Sequence, residues 1–413
     1  MNATVLATEK ISRVHWTMFT VCFVGCIFGG NVSTLMSVYL PVVVKELLGD
    51  QSEGQLGEVS AYINAMYILG WAIGGVTWGI ISDHLGRTKS VGLSLACYGL
   101  FMLFTAVSPS WAFVVFARFF TGFGVGGVLV TTTTLLAEVW PARSRAIVIG
   151  ILSIGFPIGI FSAGLTNYLV SDWHRAFFMG IVPVGLAVIS FWVFKESEKW
   201  KTVHEAQPQT LGKIKMLGAP EHRRNFILGT VMFGSMLIGL WAIFSWLPTW
   251  IQSLITTDTQ KERGITMMML GGGGLLGGFF SGYLSNAIGI RKSMILCFSG
   301  CFIMAFLLFK LNTAFSPIIY LEIAILALFF GASQGTMSVY IPLIFPTMIR
   351  ATATGLCFNI GRLFTASVVF FVGWLVVTLG GYGNAIFTFS WIFLVGLIAV
   401  LLAGETKEKS VNS

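Results

Sequence analysis

The sequence predicts an all-α membrane protein of twelve transmembrane helices in two six-helix bundles, with both termini on the cytoplasmic side. Three observations carry this. First, 55% of the 413 residues are hydrophobic and only 10% charged, with a mean hydropathy of +0.84, too apolar for a soluble domain. Second, apolar stretches of about 20 residues or more, each able to cross roughly 30 Å of hydrocarbon as a helix, recur along the whole chain. Third, the string Gly79-x-x-x-Asp83-x-x-Gly86-Arg87 returns as Gly282-x-x-x-Asn286-x-x-Gly289-x-Arg291, and Pro141-x-x-x-Arg145 returns as Pro346-x-x-x-Arg350. Both echoes fall at nearly the same offset of about 205 residues, so the second half repeats the first in parallel.

The spans are read in order from the charges that punctuate them. Lys10 and Arg13 precede the first (16–44), and Lys45, Glu46, Asp50 and Glu53 separate it from the second (57–82). Asp83, Arg87 and Lys89 lead into the third (89–108) and fourth (111–139), and Arg143 and Arg145 open the fifth (145–170). Asp172 and Arg175 introduce the sixth (173–194). A polar run from Lys195 to Arg224 then precedes the seventh (225–254). Asp258, Lys261, Glu262 and Arg263 stand before the eighth (265–287), and Arg291 and Lys292 before the ninth (292–311). Lys310 precedes the tenth (316–345), Arg350 the eleventh (351–378), and Lys407 and Lys409 follow the twelfth (383–403). Basic residues concentrate in alternate loops, whereas the opposite loops mix few of them with acids. By the positive-inside rule both termini and the central loop are cytoplasmic. The net charge of +8 therefore reports topology, and no nucleic-acid partner is expected.

The domain reading follows: an N-terminal bundle (1–194), a cytoplasmic linker (195–224), and a C-terminal bundle with a short tail (225–413). No cleavable signal peptide is expected, because the first apolar run is too long and lacks a small-residue cleavage site. Cys22 with Cys26 and Cys297 with Cys301 share i, i+4 spacing, but no histidine lies near either pair, so they read as packing residues rather than metal ligands. No metal or cofactor is expected. Glycines cluster at Gly122, Gly124, Gly126 and Gly127 and again at 271–274, 277 and 278, as close helix packing in a membrane favours. The Thr131–Thr134 run is ambiguous, since threonines in membrane helices often bond their own backbone.

The loop string with Asp83, Arg87 and Lys89 resembles the signature of the major facilitator superfamily between its second and third spans, and the resemblance covers the whole chain. It implies the major facilitator fold and a cytoplasmic gate braced by Asp83 and Arg87, with Glu138, Arg145, Asn286, Arg291 and Arg350 in the matching gating positions. Asn286 replaces the acid in the second copy, which implies a weaker brace there. Arg118-Phe-Phe-Thr-Gly122-Phe-Gly124 and Glu138-x-x-Pro141-x-x-x-Arg145 match the superfamily's fourth-span element. Phe345-Pro346-Thr347-x-x-Arg350-Ala351-Thr352-x-x-Gly355, then Asn359-Ile360-Gly361-Arg362, is similar to the sialate, lactate and aromatic-acid proton symporter group, as is Trp246-Leu-Pro248-Thr-Trp250. Gly155-Phe-Pro157-x-Gly159 is faintly similar to the helix motif of drug antiporters.

Arg118, Glu322 and Arg362 are ionisable residues well inside the spans, where a charge is costly and normally faces a bundle interior or a water-filled path. Arg362 follows Arg350 by about 12 residues, which at about 1.5 Å per residue sets it near mid-membrane. The repeat offset sets Glu322 beside the equivalent of Arg118. A pair across the cavity is one reading, and a fixed structural pair without a transport role is the other. Two arginines against one carboxylate leave a positive cavity suited to an organic anion, with Glu322 as the protonation switch.

Trp241 and Trp246, with Trp250 and the helix breaker Pro248, read as an aromatic wall and outer gate or as an interfacial belt. Asn31, Asn64, Tyr67, Gln334, Tyr340 and Asn359 are the polar residues available to a substrate, with Asn359 three residues before Arg362 and so on the same helix face. Members of the aromatic-acid and sialate group often carry acids in the first span. Here Phe28-Gly-Gly-Asn31-Val-Ser33 has none, so proton coupling is not expected through that helix.

The expected function is secondary active transport of a small organic anion, a monocarboxylate, by alternating access with proton symport. The alternatives are a carrier of sugars or other neutral solutes and, behind it, a drug/proton antiporter. A membrane enzyme or sensor lacks any clustered acid, histidine or metal-ligand set in this sequence. A monomer in a plasma membrane, as a bacterial inner-membrane protein, is expected, with the substrate, protons and lipid as its partners.

Overall fold

The computed structural model describes residues 11–49, 53–194, 196, 219–255, 259–346 and 349–403. Among these it contains twelve helices long and apolar enough to cross a membrane. We number them α1 (Arg13–Leu48), α2 (Glu53–Leu85), α3 (Arg87–Ala106), α4 (Trp111–Val139), α5 (Ala142–Leu169) and α6 (Trp173–Val193) in the first half. The second half holds α7 (Pro220–Ser253), α8 (Gln260–Ile288), α9 (Ile290–Leu311), α10 (Ile318–Leu343), α11 (Arg350–Phe370, continued by Val372–Thr378) and α12 (Tyr382–Leu402). An even number of crossings puts the start of α1 and the end of α12 at the same end of the molecule.

Several helices run a few residues past their apolar cores, and α6 is interrupted by a 3-10 turn at Phe178–Gly180. α7 begins at Pro220, five residues before the expected span and inside the stretch read as linker, and α8 likewise begins five residues early, at Gln260. Proline suits a first helical turn, where its missing N–H has no intrahelical partner, and Glu221 beside it meets the positive end of the helix dipole. Lys10, Asp50, Lys195, residues 197–218, Asp258, Thr347, Lys407 and Lys409 lie outside the described residues.

The repeat read from the loop strings has a direct structural counterpart. Gly86 ends α2 and opens α3 at φ 102°, and Gly289 ends α8 and opens α9 at φ 89°; a side chain is disfavoured in that left-handed region, which explains the glycine in both copies. The second echo is a turn clamp. Arg145 donates from Nε and Nη2 to the Trp140 carbonyl at 3.2 and 3.1 Å, and Arg350 donates from Nε to the Phe345 carbonyl at 3.3 Å. Each arginine thus bonds the carbonyl just before its proline, closing the bend between two spans.

Packing follows the same duplication. Side chains added at Gly70 and Gly74 of α2 would overlap the carbonyls of Phe119 and Phe123 in α4. In the second half, Gly273 and Gly277 of α8 stand in the same way against the carbonyls of Ala324 and Leu328 in α10. Lipid tails are as apolar as the helices, so such close backbone approach and its van der Waals contact hold these pairs together. Between the halves, Gly164 of α5 meets Gly264 of α8, Gly57 of α2 meets Gly373 of α11, and Gln260 Nε2 donates to the Asn167 carbonyl at 2.7 Å. These contacts form a seam at the end remote from the termini.

Candidate functional site

Below that seam the two halves enclose a cavity of about 680 Å³, within the range of small-molecule sites. Its wall is drawn from α1, α2, α4 and α5 on one side and α7, α8, α10 and α11 on the other. Among the described residues that line it, Arg362 carries the only charge and no residue is acidic.

Helical spacing explains how Arg362 is held. Asn359 precedes it by three positions, and Arg362 Nη1 donates to Asn359 Oδ1 at 3.4 Å. On α2, Tyr67, Trp71 and Gly75 recur every four residues along one stripe, of which Trp71 and Gly75 meet α11 of the other half. The Arg362 guanidinium carbon lies 5.0 Å from the Trp71 ring centroid, a cation–π contact between the halves. A Cβ added at Gly75 would come within 2.8 Å of Asn359 Oδ1, so glycine is what admits the Asn359–Arg362 pair. Trp71 also makes an edge contact with Trp241 of α7 at 5.2 Å and a tilted one with Phe156 of α5 at 5.5 Å. Among the described residues Arg362 forms no ion pair, and its Nε is buried with no partner.

The other predicted site residues divide into three groups. Trp241 and Gln334 share the cavity wall with Arg362, and Asn359 touches Arg362 from behind it. Asn31, Asn64, Tyr67 and Arg118 lie in the N-terminal half behind the wall. Asn31 Nδ2 donates to Ser162 Oγ at 2.9 Å and ties α1 to α5, Asn64 Nδ2 is buried without a partner, and Tyr67 bonds Ser33. Arg118 sits 4.0 Å over the Tyr67 ring and donates from Nη1 to the Val32 carbonyl at 3.0 Å. Trp246, packed 5.8 Å from the Tyr382 ring, and Tyr340 are buried within the C-terminal half, away from the cavity wall.

Two expectations need correction. Arg118 and Glu322 are not brought together. Arg118 makes its contacts inside its own bundle, with the Val32 carbonyl and the Tyr67 ring, while Glu322, near the start of α10 and outside the cavity wall, accepts from Asn312 Nδ2 at 2.7 Å. The charged brace is also placed differently. Arg87 bonds Asp83 at 2.6 Å and Glu138 at 2.9 Å, and its backbone N–H donates to Glu196 Oε1 at 2.9 Å, so these contacts join α2, α3, α4 and Glu196, which follows α6, within the N-terminal half. In the second copy, Asn286 replaces Asp83, and Arg291 donates to the last carbonyls of α12, Val400 and Leu401, at 3.3 and 2.7 Å. A cation there complements the negative helix end.

Trp71 was not singled out from the sequence. One tryptophan among 13 in an apolar chain carries no mark of its own; the pattern that could have found it is the Tyr67, Trp71, Gly75 stripe.

Two pseudo-equivalent helix bundles around a central cavity define a membrane carrier. The family model of the Major Facilitator Superfamily matches residues 21–368, and the chain belongs to that superfamily. It is similar to the cis,cis-muconate transport protein of Acinetobacter baylyi, 27% identical over 380 residues that cover 89% of each chain. It is also similar to the niacin transporter NiaP of the same organism, 25% identical over 438 residues covering 98% of this chain and 97% of that one. Its fold is similar to the crystal structure of a D-xylose-proton symporter, with a TM-score of 0.77 at 17% identity, covering 95% of this chain and 98% of that one. The protein is thus a multi-pass membrane transporter, not an enzyme.

Proposed function

We propose that this transporter carries small organic monocarboxylates across a bacterial inner membrane by alternating access, with the terminus-bearing end in the cytoplasm. The observation that carries the reading is Arg362, half-buried and, among the described residues, without an acidic partner, in the wall of a cavity shared with Trp71, Phe156, Trp241 and Phe244. A planar guanidinium grips a carboxylate through paired hydrogen bonds, and ring faces accept a flat, unsaturated body. Niacin, named for one relative, is a monocarboxylate of this class, whereas cis,cis-muconate, named for the other, is a dicarboxylate and supports only the wider class of small unsaturated organic acids. The cavity gains a neutralising charge when the anion enters, which lowers the cost of closing the bundles over it; the empty carrier rests Arg362 on Trp71 and Asn359 instead.

Proton symport is the driving force we assign, from the motifs shared with the symporter branch. Glu322 stands outside the cavity wall, so any part it plays in coupling is exerted at the remote rim, through Asn312.

A thermal-shift titration of the purified protein with benzoate, benzamide and xylose tests the reading. Benzoate is expected to stabilise the protein at concentrations about a hundredfold below benzamide, in line with the two to three kcal/mol of a charge-assisted contact. Stabilisation by xylose but not by benzoate would move the protein to the neutral-solute class.

A further inference from the structure

The cavity wall carries a second polar signal besides Arg362. Its hydroxyls are occupied as donors. Thr133 donates to the Leu129 carbonyl at 2.8 Å, Ser153 to Ile149 at 3.0 Å, and Ser338 to Gln334 at 2.7 Å, while Cys26 Sγ lies 3.6 Å from Thr132 Oγ1. Among the described residues two wall atoms remain buried with no hydrogen-bond partner: Nε of Arg362 and Nε2 of Gln334. Buried polar groups are nearly always paired, so an orphaned amide in the wall of a ligand cavity marks a place where the ligand completes the bond. Gln334 lines the cavity, and the torsion about its terminal bond is soft, so its amide can reorient toward a bound ligand at little cost.

We propose that Gln334 is a specificity-determining residue, donating from Nε2 to a neutral acceptor on the substrate: a ring nitrogen, carbonyl or hydroxyl oxygen. This rests on the reading that Arg362 holds the substrate's carboxylate. The two orphans are both donors, but only one is charged. A monocarboxylate bearing a second, neutral acceptor satisfies both. A dicarboxylate leaves its second charge against a neutral amide and aromatic rings, where desolvation is not repaid. Gln334 sits on α10 and Arg362 on α11, facing Trp71 of the other half, so the pair reads two separate points of the ligand within one cavity.

The test is a competition-binding series on the full-length protein with benzoate, the three pyridine monocarboxylates (picolinate, nicotinate and isonicotinate), and terephthalate. At least one pyridine monocarboxylate should bind about tenfold tighter than benzoate, the worth of one neutral hydrogen bond, and terephthalate should bind more weakly than benzoate. In Gln334→Met, similar in volume but without a donor, the preference for that pyridine acid over benzoate should fall to near one. Equal binding of benzoate and all three pyridine acids, tighter binding of terephthalate than benzoate, or an unchanged preference in Gln334→Met would overturn the proposal. The wild-type series decides the matter even if the variant fails to fold. Failure of every carboxylate to bind would instead reject the anion reading on which this one stands.

Discussion

Replacing Arg362 with alanine should abolish carboxylate uptake while leaving the protein folded and membrane-inserted. Among the described residues the guanidinium is the only charge in the cavity wall, and it rests on Trp71 and Asn359 rather than on an acid. Removing it leaves no protein charge stranded. What is lost is the partner of a desolvated carboxylate, a change that costs about 2–5 kcal/mol, or about thirtyfold to several thousandfold in affinity. Arg362→Lys separates charge from shape. It keeps the cation but loses the planar fork and the stacked face, so it should recover only part of the affinity. Uptake and binding by each variant, alongside its elution from size exclusion, check the prediction; an Arg362→Ala protein with normal affinity refutes the assigned role.

The second large effect concerns two neighbouring glycines of α8. Gly273→Val should prevent accumulation of folded protein, whereas Gly272→Val should be nearly silent. A Cβ at Gly273 overlaps the Ala324 carbonyl of α10, backbone that cannot move aside without separating the helices, whereas one at Gly272 meets nothing within 4 Å. Overpacking of this kind costs about 3 kcal/mol or more, against about half a kcal/mol at an open position. Thermal midpoints of the two detergent-purified variants measure the contrast. Equal midpoints would mean that α8 and α10 do not cross as described.

Much of the fold was legible because a bilayer imposes a coarse code of apolar length, flanking charge and small residues at crossings. The span 111–139 was read to the residue, and the two loop echoes became a pair of glycine bends and a pair of arginine turn clamps. The rarity of polar groups within spans likewise pointed to Arg362, Asn359 and Gln334. Facing relationships were not legible. Equal position in a repeat sets similar depth but not direction, which is why Arg118 and Glu322, matched by the offset, point to Tyr67 and Asn312 instead of to each other. Glu138 shows the same limit: its match to the fourth-span motif placed it at a gate, but only the structure shows it holding Arg87 beside Asp83 in one bundle. Trp71 escaped because its role depends on what α11 brings to it.

The central claim, an anion carrier that works through Arg362, is tested most directly by counterflow in proteoliposomes preloaded with unlabelled benzoate. External labelled benzoate should accumulate transiently in wild-type vesicles, be competed by nicotinate but not by xylose, and fail to accumulate with Arg362→Ala. Exchange of labelled xylose in place of benzoate, or undiminished benzoate exchange by Arg362→Ala, would contradict it.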